Sequence, residues 1–116
     1  MKKKKKGEAV DLRMDEVVPR PLVKSEISSE GQVILLKPKF RNPWLRRHLE
    51  PRMRHPYYRI TLDEIGTAFW QLMDGQTDAL KIAQKMEVEL GGKIHPTYER
   101  LGLFLRMLKN SNFIDW

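Results

Sequence analysis

The sequence predicts an α+β domain, winged-helix-like, in which three antiparallel strands precede three helices. Between Leu22 and Leu62 the apolar residues form short runs and one alternating stretch, whereas after Leu62 they recur at helical spacing. The pattern changes once and no segment repeats, so we expect one domain over residues 20–116. With 116 residues and 41% hydrophobic content, the chain can fill one small core.

Three segments have the character of strands. Residues 22–27 are a mixed run that ends at the turn formers Ser28 to Gly31. Residues 32–37 hold four consecutive apolar side chains, typical of a strand covered on both faces, and Pro38 ends the run. Residues 57–62 alternate, which predicts a half-buried strand. One of its faces carries Tyr58, Ile60 and Leu62, and the other carries Tyr57, Arg59 and Thr61.

Three amphipathic helices are predicted after the third strand, with apolar residues three and four positions apart. In the first helix these are Ile65, Ala68, Phe69, Leu72 and Met73. In the second they are Ala79, Ile82, Ala83, Met86 and Leu90, and in the third Leu101, Phe104, Leu105 and Leu108. Thr61 with Glu64 predicts a capping box for the first helix, and Thr77 predicts the cap of the second.

The net charge of +7 is concentrated in two places. Lys2 to Lys6 form a basic run within residues 1–19, whose scattered apolar residues predict a mobile tail. Such a run can touch anionic lipid or RNA, but solvated disorder is the simpler interpretation. Residues 37–55 hold seven basic side chains against Glu50 alone. Without cysteine, and without an apolar run near the length of a membrane span, we expect a soluble cytoplasmic protein.

An arginine-rich insert at residues 40–56 separates the second and third predicted strands. Asn42-Pro43 predicts a short helix there, because Asn is a good cap and Pro is favoured at the first helical position. The arginines around Trp44 suit contact with an acidic partner, and the candidate contacts are Trp44, Arg46, Arg47, Arg52 and Arg54. The alternative is that Trp44 and Leu45 cover the core while the arginines face water.

Catalysis and metal binding find little support in the sequence. His48, His55 and His95 lie near prolines without the spacing of a helical metal site, and no nucleophile or phosphate loop accompanies them. We therefore expect no catalytic residue, metal or cofactor. The last two helices resemble a helix-turn-helix, but the basic residues of the third, Arg100, Arg106 and Lys109, form a weak pattern for DNA.

The segment from Ile60 to Ile114 resembles the PqqD family of pyrroloquinoline-quinone (PQQ) biosynthesis, whose fold recurs as the precursor-recognition element of ribosomal-peptide modifying systems. A strand runs into Leu62-Asp63-Glu64-Ile65-Gly66, and a helix ends at Trp70-Gln71-Leu72-Met73-Asp74-Gly75. Thr77 opens a helix containing Ile82-Ala83, and Phe104-Leu105, Leu108 and Asn112-Phe113-Ile114 follow.

The resemblance implies a non-catalytic adaptor or chaperone that presents a precursor peptide to a modifying enzyme, often a radical S-adenosylmethionine protein. The peptide would add as a strand beside the third strand and pack over the third helix. The implied contacts are Tyr57, Tyr58, Arg59, Ile60, Thr61, Leu62, Leu101, Leu105 and Leu108. Alternatively, the insert covers this edge, or two copies pair through it. The competing function is a winged helix-turn-helix regulator that binds nucleic acid.

Overall fold

A three-stranded antiparallel sheet and four helices form the α+β fold of the protein, whose computed structural model describes residues 12–40 and 42–116. The strands are β1 (Arg20–Pro21), β2 (Lys24–Ile27), β3 (Val33–Pro38), β4 (Tyr57–Thr61) and β5 (Ile114–Asp115). The helices are α1 (Pro43–Leu49), α2 (Glu64–Leu72), α3 (Ala79–Leu90) and α4 (Thr97–Asn110).

The main sheet has the order β2-β3-β4, and its register confirms the three predicted strands. Leu35 lies between Ser25 and Ile60, so β3 is the central strand. Its side chains Val33 and Leu35 are buried on the face that meets the helices. The two outer strands, β2 and β4, are the edges of this sheet.

Helices α2, α3 and α4 form the core on that face of the sheet through the predicted apolar stripes. Phe69 of α2 is fully buried and meets Phe104 of α4 edge to face, with ring centroids 5.5 Å apart. Ala79, Ile82, Ala83 and Met86 of α3 are fully buried as well. The spacing of apolar residues therefore identified the core face of the helices correctly.

The predicted order of three strands followed by three helices is wrong in two respects. Helix α1 lies within the insert, between β3 and β4, so the described chain has four helices. In addition, β1 pairs with β5 as a separate two-stranded ribbon, with Arg20 opposite Asp115 and Pro21 opposite Ile114. Two-residue strands have no period, which is why no sequence pattern indicated this pairing.

The N-terminal boundary at residue 20 also needs correction, because residues before it pack on the core. Met14 and Val17 are buried, Pro19 is fully buried, and Ala79 donates its backbone N–H to the Val17 carbonyl at 2.7 Å. A short 3-10 turn, Met14–Glu16, places Met14 and Val17 on one side. The lysine run of the predicted tail lies outside the described residues.

Two predicted helix caps are replaced by neighbouring aspartates. Asp63 caps α2 by accepting the Gly66 N–H at 2.8 Å, and Asp78 caps α3 by accepting the Lys81 N–H at 2.9 Å. Thr61 belongs to β4 instead. Thr77 lies in the turn before α3, where its N–H and its hydroxyl both donate to Asp74, and Asp78 is the residue directly before the helix.

Candidate functional site

The outer edge of β4 presents unpaired main-chain groups. At one end of the strand the Leu62 N–H donates to the Val33 carbonyl at 2.8 Å, and at the other the Lys39 N–H donates to the Pro56 carbonyl at 3.0 Å. Because the hydrogen-bonded pairs of an antiparallel ladder recur every second residue, Tyr58 and Ile60 also point their main-chain groups at β3.

The remaining residues of β4 point their N–H and C=O groups away from β3. These residues are Tyr57, Arg59 and Thr61, and no strand of the described residues pairs with them. They form an edge of about 17 Å, given the rise of an extended strand. An edge with alternate free donors and acceptors can accept another strand.

The side chains of β4 differ in exposure along the strand. Leu62, just after the strand, is buried and Ile60 is half-buried, while Tyr58 is 56% exposed beneath the Lys39 ammonium. Arg59 forms an ion pair with Glu26, which links the two outer strands across β3. Tyr57 is half-buried as well, so the expected half-buried strand is found at Tyr57 and Ile60, whereas Tyr58, Arg59 and Thr61 are exposed.

An open groove of about 420 Å³ lies between the start of α2 and the outer side of α4. Its walls are mainly apolar, and its lining includes Ile65, Gly66, Ile94, Leu103, Phe104 and Met107. The groove starts at Asp63, directly after the strand that carries the free edge. Asp63 is thus two residues along the chain from Thr61, the last residue of the free edge.

Gly66 sets the close approach of α2 and α4 beside the groove. A Cβ placed there would lie 3.2 Å from the Leu62 Cβ and 3.3 Å from the Phe104 Cζ. Both distances are shorter than ordinary van der Waals contact, so a side chain at this position would require Leu62 or Phe104 to shift by a few tenths of an ångström.

The expected peptide contacts on the last helix need correction. Leu101, Leu105 and Leu108 are at most 2% exposed and belong to the core. Leu101 also lines the groove, whereas Leu105 and Leu108 do not, so a ligand in the groove would meet only the first of the three. The exposed apolar residues of α4 are Leu103 and Met107, which are 61% and 54% exposed and line the groove. Leu103 and Met107 are four residues apart and so share one face of α4. The sequence pattern did not single out this face, because the apolar residues of the core face are more numerous.

The insert forms a local structure on the surface. The Asn42 Oδ1 accepts the N–H groups of Trp44 and Leu45 at 2.7 and 3.3 Å, which confirms the predicted cap of α1. No residue of α1 is buried, and Trp44 is 63% exposed beside the His48 ring, with centroids 4.5 Å apart. Trp44 therefore does not cover the core.

The arginines of the insert differ in their partners. Arg46 donates to Glu50 at 3.1 Å, and this pair lies toward the sheet. Within residues 12–40 and 42–116, the exposed side chains of Arg47, Arg52 and Arg54 have no hydrogen-bond or ion-pair partner. Arg41 lies outside the described residues. The insert thus presents uncompensated positive charge.

Two of the basic residues considered for DNA binding have roles inside the fold. The Arg100 guanidinium donates to the Lys93 carbonyl at 2.8 Å, which closes the turn before α4. The Lys109 ammonium donates to the Trp116 carbonyl at 3.3 Å and lies 4.1 Å from the centre of its ring. These contacts hold both side chains against the protein.

The described residues contain neither a cluster suited to a metal ion nor a helix suited to crossing a membrane. Among the residues that it describes, no cluster of three or more histidines or carboxylates has the arrangement of a metal site. His48 lies in α1, and His55 and His95 lie in separate loops. None of the described helices combines the length and apolar character needed to cross a bilayer.

The titratable groups with shifted pKa values have local structural causes. The Asp74 carboxylate accepts the N–H groups of Gln76 and Thr77 and the Thr77 hydroxyl, which lowers its pKa. Desolvation and the nearby Glu87 charge raise the pKa of Tyr98. Neither residue lines the groove.

Comparison with protein families, curated proteins and solved structures found no match to this chain. The geometry of the β4 edge, the groove and the insert is therefore the basis for considering function.

Proposed function

We propose that this protein is a non-catalytic peptide-binding adaptor with a winged-helix-like fold. The observation that carries the proposal is the outward main-chain groups of Tyr57, Arg59 and Thr61 on β4. An extended peptide can pair with them as a fourth strand, and main-chain pairing of this kind provides affinity with little dependence on sequence.

The groove beside α4 supplies the selectivity that main-chain pairing lacks. Leu103 and Met107 leave apolar surface at its rim, and Phe104 and Ile65 line its walls. An apolar side chain at one end of the peptide would be desolvated there, and Met adapts to different shapes. The expected ligand is an extended peptide of about five paired residues with an apolar anchor at one end.

The adaptor role follows from the resemblance to the PqqD family. A domain that binds a ribosomally made precursor peptide, and itself has no catalytic group, would present that peptide to a separate modifying enzyme. A radical S-adenosylmethionine enzyme is one candidate, and quinone biosynthesis is one setting. Binding of nucleic acid through α4 has less support, because Arg100 and Lys109 are engaged inside the fold.

Selection from a random peptide library tests this proposal with no need to identify the natural ligand first. Phage-displayed random 16-residue peptides would be selected on the full chain, and an enriched peptide synthesised and titrated into isotope-labelled protein. We expect shifts first at the amides of Tyr57, Arg59 and Thr61, because these N–H groups gain acceptors, and then around Leu103 and Met107.

A matched pair of variants at Arg59 distinguishes the contribution of its main-chain N–H to peptide binding from that of its side chain. Arg59→Pro removes an outward N–H and should weaken binding at least tenfold, whereas Arg59→Ala loses the ion pair with Glu26 but keeps that N–H. An analogous change at Ile60 would be uninformative, because its N–H pairs with β3. Circular dichroism would verify that the helices remain.

Four results would contradict the adaptor. One is that no peptide is enriched, and another is equal binding by Arg59→Pro and the wild type. The third is micromolar binding of duplex DNA at physiological salt that shifts Arg100, Arg106 and Lys109, which would favour the nucleic-acid regulator. Dimerisation that Arg59→Pro abolishes, in the absence of any peptide, would show self-pairing of the edge instead.

A further inference from the structure

We infer that the insert recognises acidic residues of the same peptide, located just beyond the C-terminal end of its paired strand. This inference rests on the proposed function, since it assigns a second contact to the ligand of the β4 edge. The contact surface is the exposed arginine cluster of Arg47, Arg52 and Arg54, called the arginine cluster below.

The fold places the insert at one end of the free edge. Pro38 is opposite Tyr57, and the Lys39 N–H donates to the Pro56 carbonyl at 3.0 Å, so the insert begins and ends beside Tyr57. Arg54 is three residues from Tyr57, which limits the separation of their Cα atoms to about 10 Å. A peptide strand that continues past Tyr57 therefore comes first within reach of Arg54, the member of the arginine cluster nearest to the edge along the chain.

The direction of the peptide follows from the sheet. All pairings in the main sheet are antiparallel, and antiparallel pairs need no particular connection between strands. A peptide antiparallel to β4 enters beside Thr61 and leaves beside Tyr57. Its C-terminal flank then meets the arginine cluster, and its N-terminal flank lies near the groove.

The two ends of the edge differ in charge. At the Leu62 end, Glu64 pairs with Lys93 at 3.2 Å, and Asp63 and Arg100 both line the groove. At the Tyr57 end, Glu50 is the one acidic residue between positions 37 and 55, and Arg46 already binds it. The positive charge of the arginine cluster is thus left for a partner, and carboxylates are its complement.

Three synthetic peptides with one common core test the inference. The core would be the sequence selected by phage display, extended by Asp-Glu-Asp-Glu at the C-terminus, by the same residues at the N-terminus, or by Asn-Gln-Asn-Gln at the C-terminus. At low salt we expect the C-terminal acidic peptide to bind about five- to tenfold more tightly than the other two, as three exposed ion pairs would provide. Added salt should remove this advantage.

Charge variants of the protein assign the preference to the arginine cluster. The triple variant Arg47→Gln, Arg52→Gln, Arg54→Gln should bind all three peptides equally, while the corresponding Arg→Lys triple variant should keep most of the preference. Both should retain the wild-type Tm, because these side chains are exposed and have no partner among the described residues.

Several outcomes would overturn the inference. A preference for the N-terminal acidic peptide would reverse the orientation, and a preference that persists in the Arg→Gln variant would place the contact elsewhere. Tighter binding of the oligonucleotide dT20 than of the acidic peptide, lost in the same variant, would assign the arginine cluster to single-stranded nucleic acid. Equal peptide binding by Arg59→Pro and the wild type would instead reject the proposed function, and this inference with it.

Discussion

The insert and the helical region use similar apolar residues with opposite results. The insert contains Trp44, Leu45, Leu49 and Met53, yet none of its described residues is buried. The helical region places residues of the same types at regular spacing on three consecutive helices, and these side chains fill the core. Apolar content alone therefore does not make a core, because burial needs neighbouring elements that present matching faces.

The two regions also differ in how far a local change can spread. Contacts of the insert are mostly within itself, such as the Asn42 cap and the Arg46–Glu50 pair. Contacts of the helical region join distant parts of the chain, as in the hydrogen bond from the Val33 N–H to the Thr67 hydroxyl. We expect the helical region to determine global stability. Two pairs of measurements test this expectation, and a third measurement concerns the helical region alone.

The largest difference should come from removing one aromatic ring in each region. Phe69→Ala removes a fully buried ring and should lower the free energy of unfolding by about 3–5 kcal/mol. Trp44→Ala removes a larger ring that is 63% exposed, and should cost less than about 0.5 kcal/mol. Urea denaturation measures both, and similar losses would mean that the insert is part of the cooperative unit.

Removing a helix cap in each region should give a difference in stability loss that is smaller than that between the two aromatic variants. Asp78→Ala deprives the Lys81 N–H of its acceptor and should cost about 1 kcal/mol, because α3 unfolds only with the core. Asn42→Ala breaks the corresponding cap of α1, but should leave the global Tm nearly unchanged and increase hydrogen exchange at Trp44 and Leu45. A fall in Tm as large as that of Asp78→Ala would show that α1 stabilises the whole fold.

The smallest effect should be the pH dependence of the turn between α2 and α3. The pKa of Asp74 is lowered in the folded protein, so its carboxylate stabilises the fold above the unfolded pKa of about 4 and loses this effect as pH falls through the folded pKa. Asp74→Ala should lower the Tm at pH 7 by less than Asp78→Ala does. The gap between the wild type and Asp74→Ala should close toward pH 2, and a gap that persists there would assign the effect to packing.

Much of the fold could be predicted because its main elements have clear periods. The alternation in β4 and the helical stripes each indicated which side chains face the core, as Ile82 and Leu105 illustrate. The features that the sequence patterns missed lie in segments whose apolar residues do not recur at strand or helix spacing. Met14 and Val17 are isolated apolar residues in a charged segment, and only the surface that they cover explains their burial.

The candidate site was less readable than the fold. The sequence predicted β4 as a strand, and the family resemblance implied that it is an edge. The direction of its main-chain groups depends on the register with β3, which sequence patterns did not determine. The apolar stripe of α4 pointed to Leu105, which is in the core, and away from Met107, which lines the groove. Helical spacing identifies the face of a helix that packs in the core, whereas the residues that line the groove lie on the adjacent face of α4.

The hydrogen bond between Lys39 and Pro56 makes the connection between β3 and β4 a closed loop with joined stems. Each doubling of loop length costs only about 0.6 kcal/mol of chain entropy, so replacing residues 40–55 by a four-residue turn would gain about 1 kcal/mol at most. The scaffold is therefore nearly indifferent to what this loop contains. New loops could therefore be exchanged here while the strand edge and the core stay as they are.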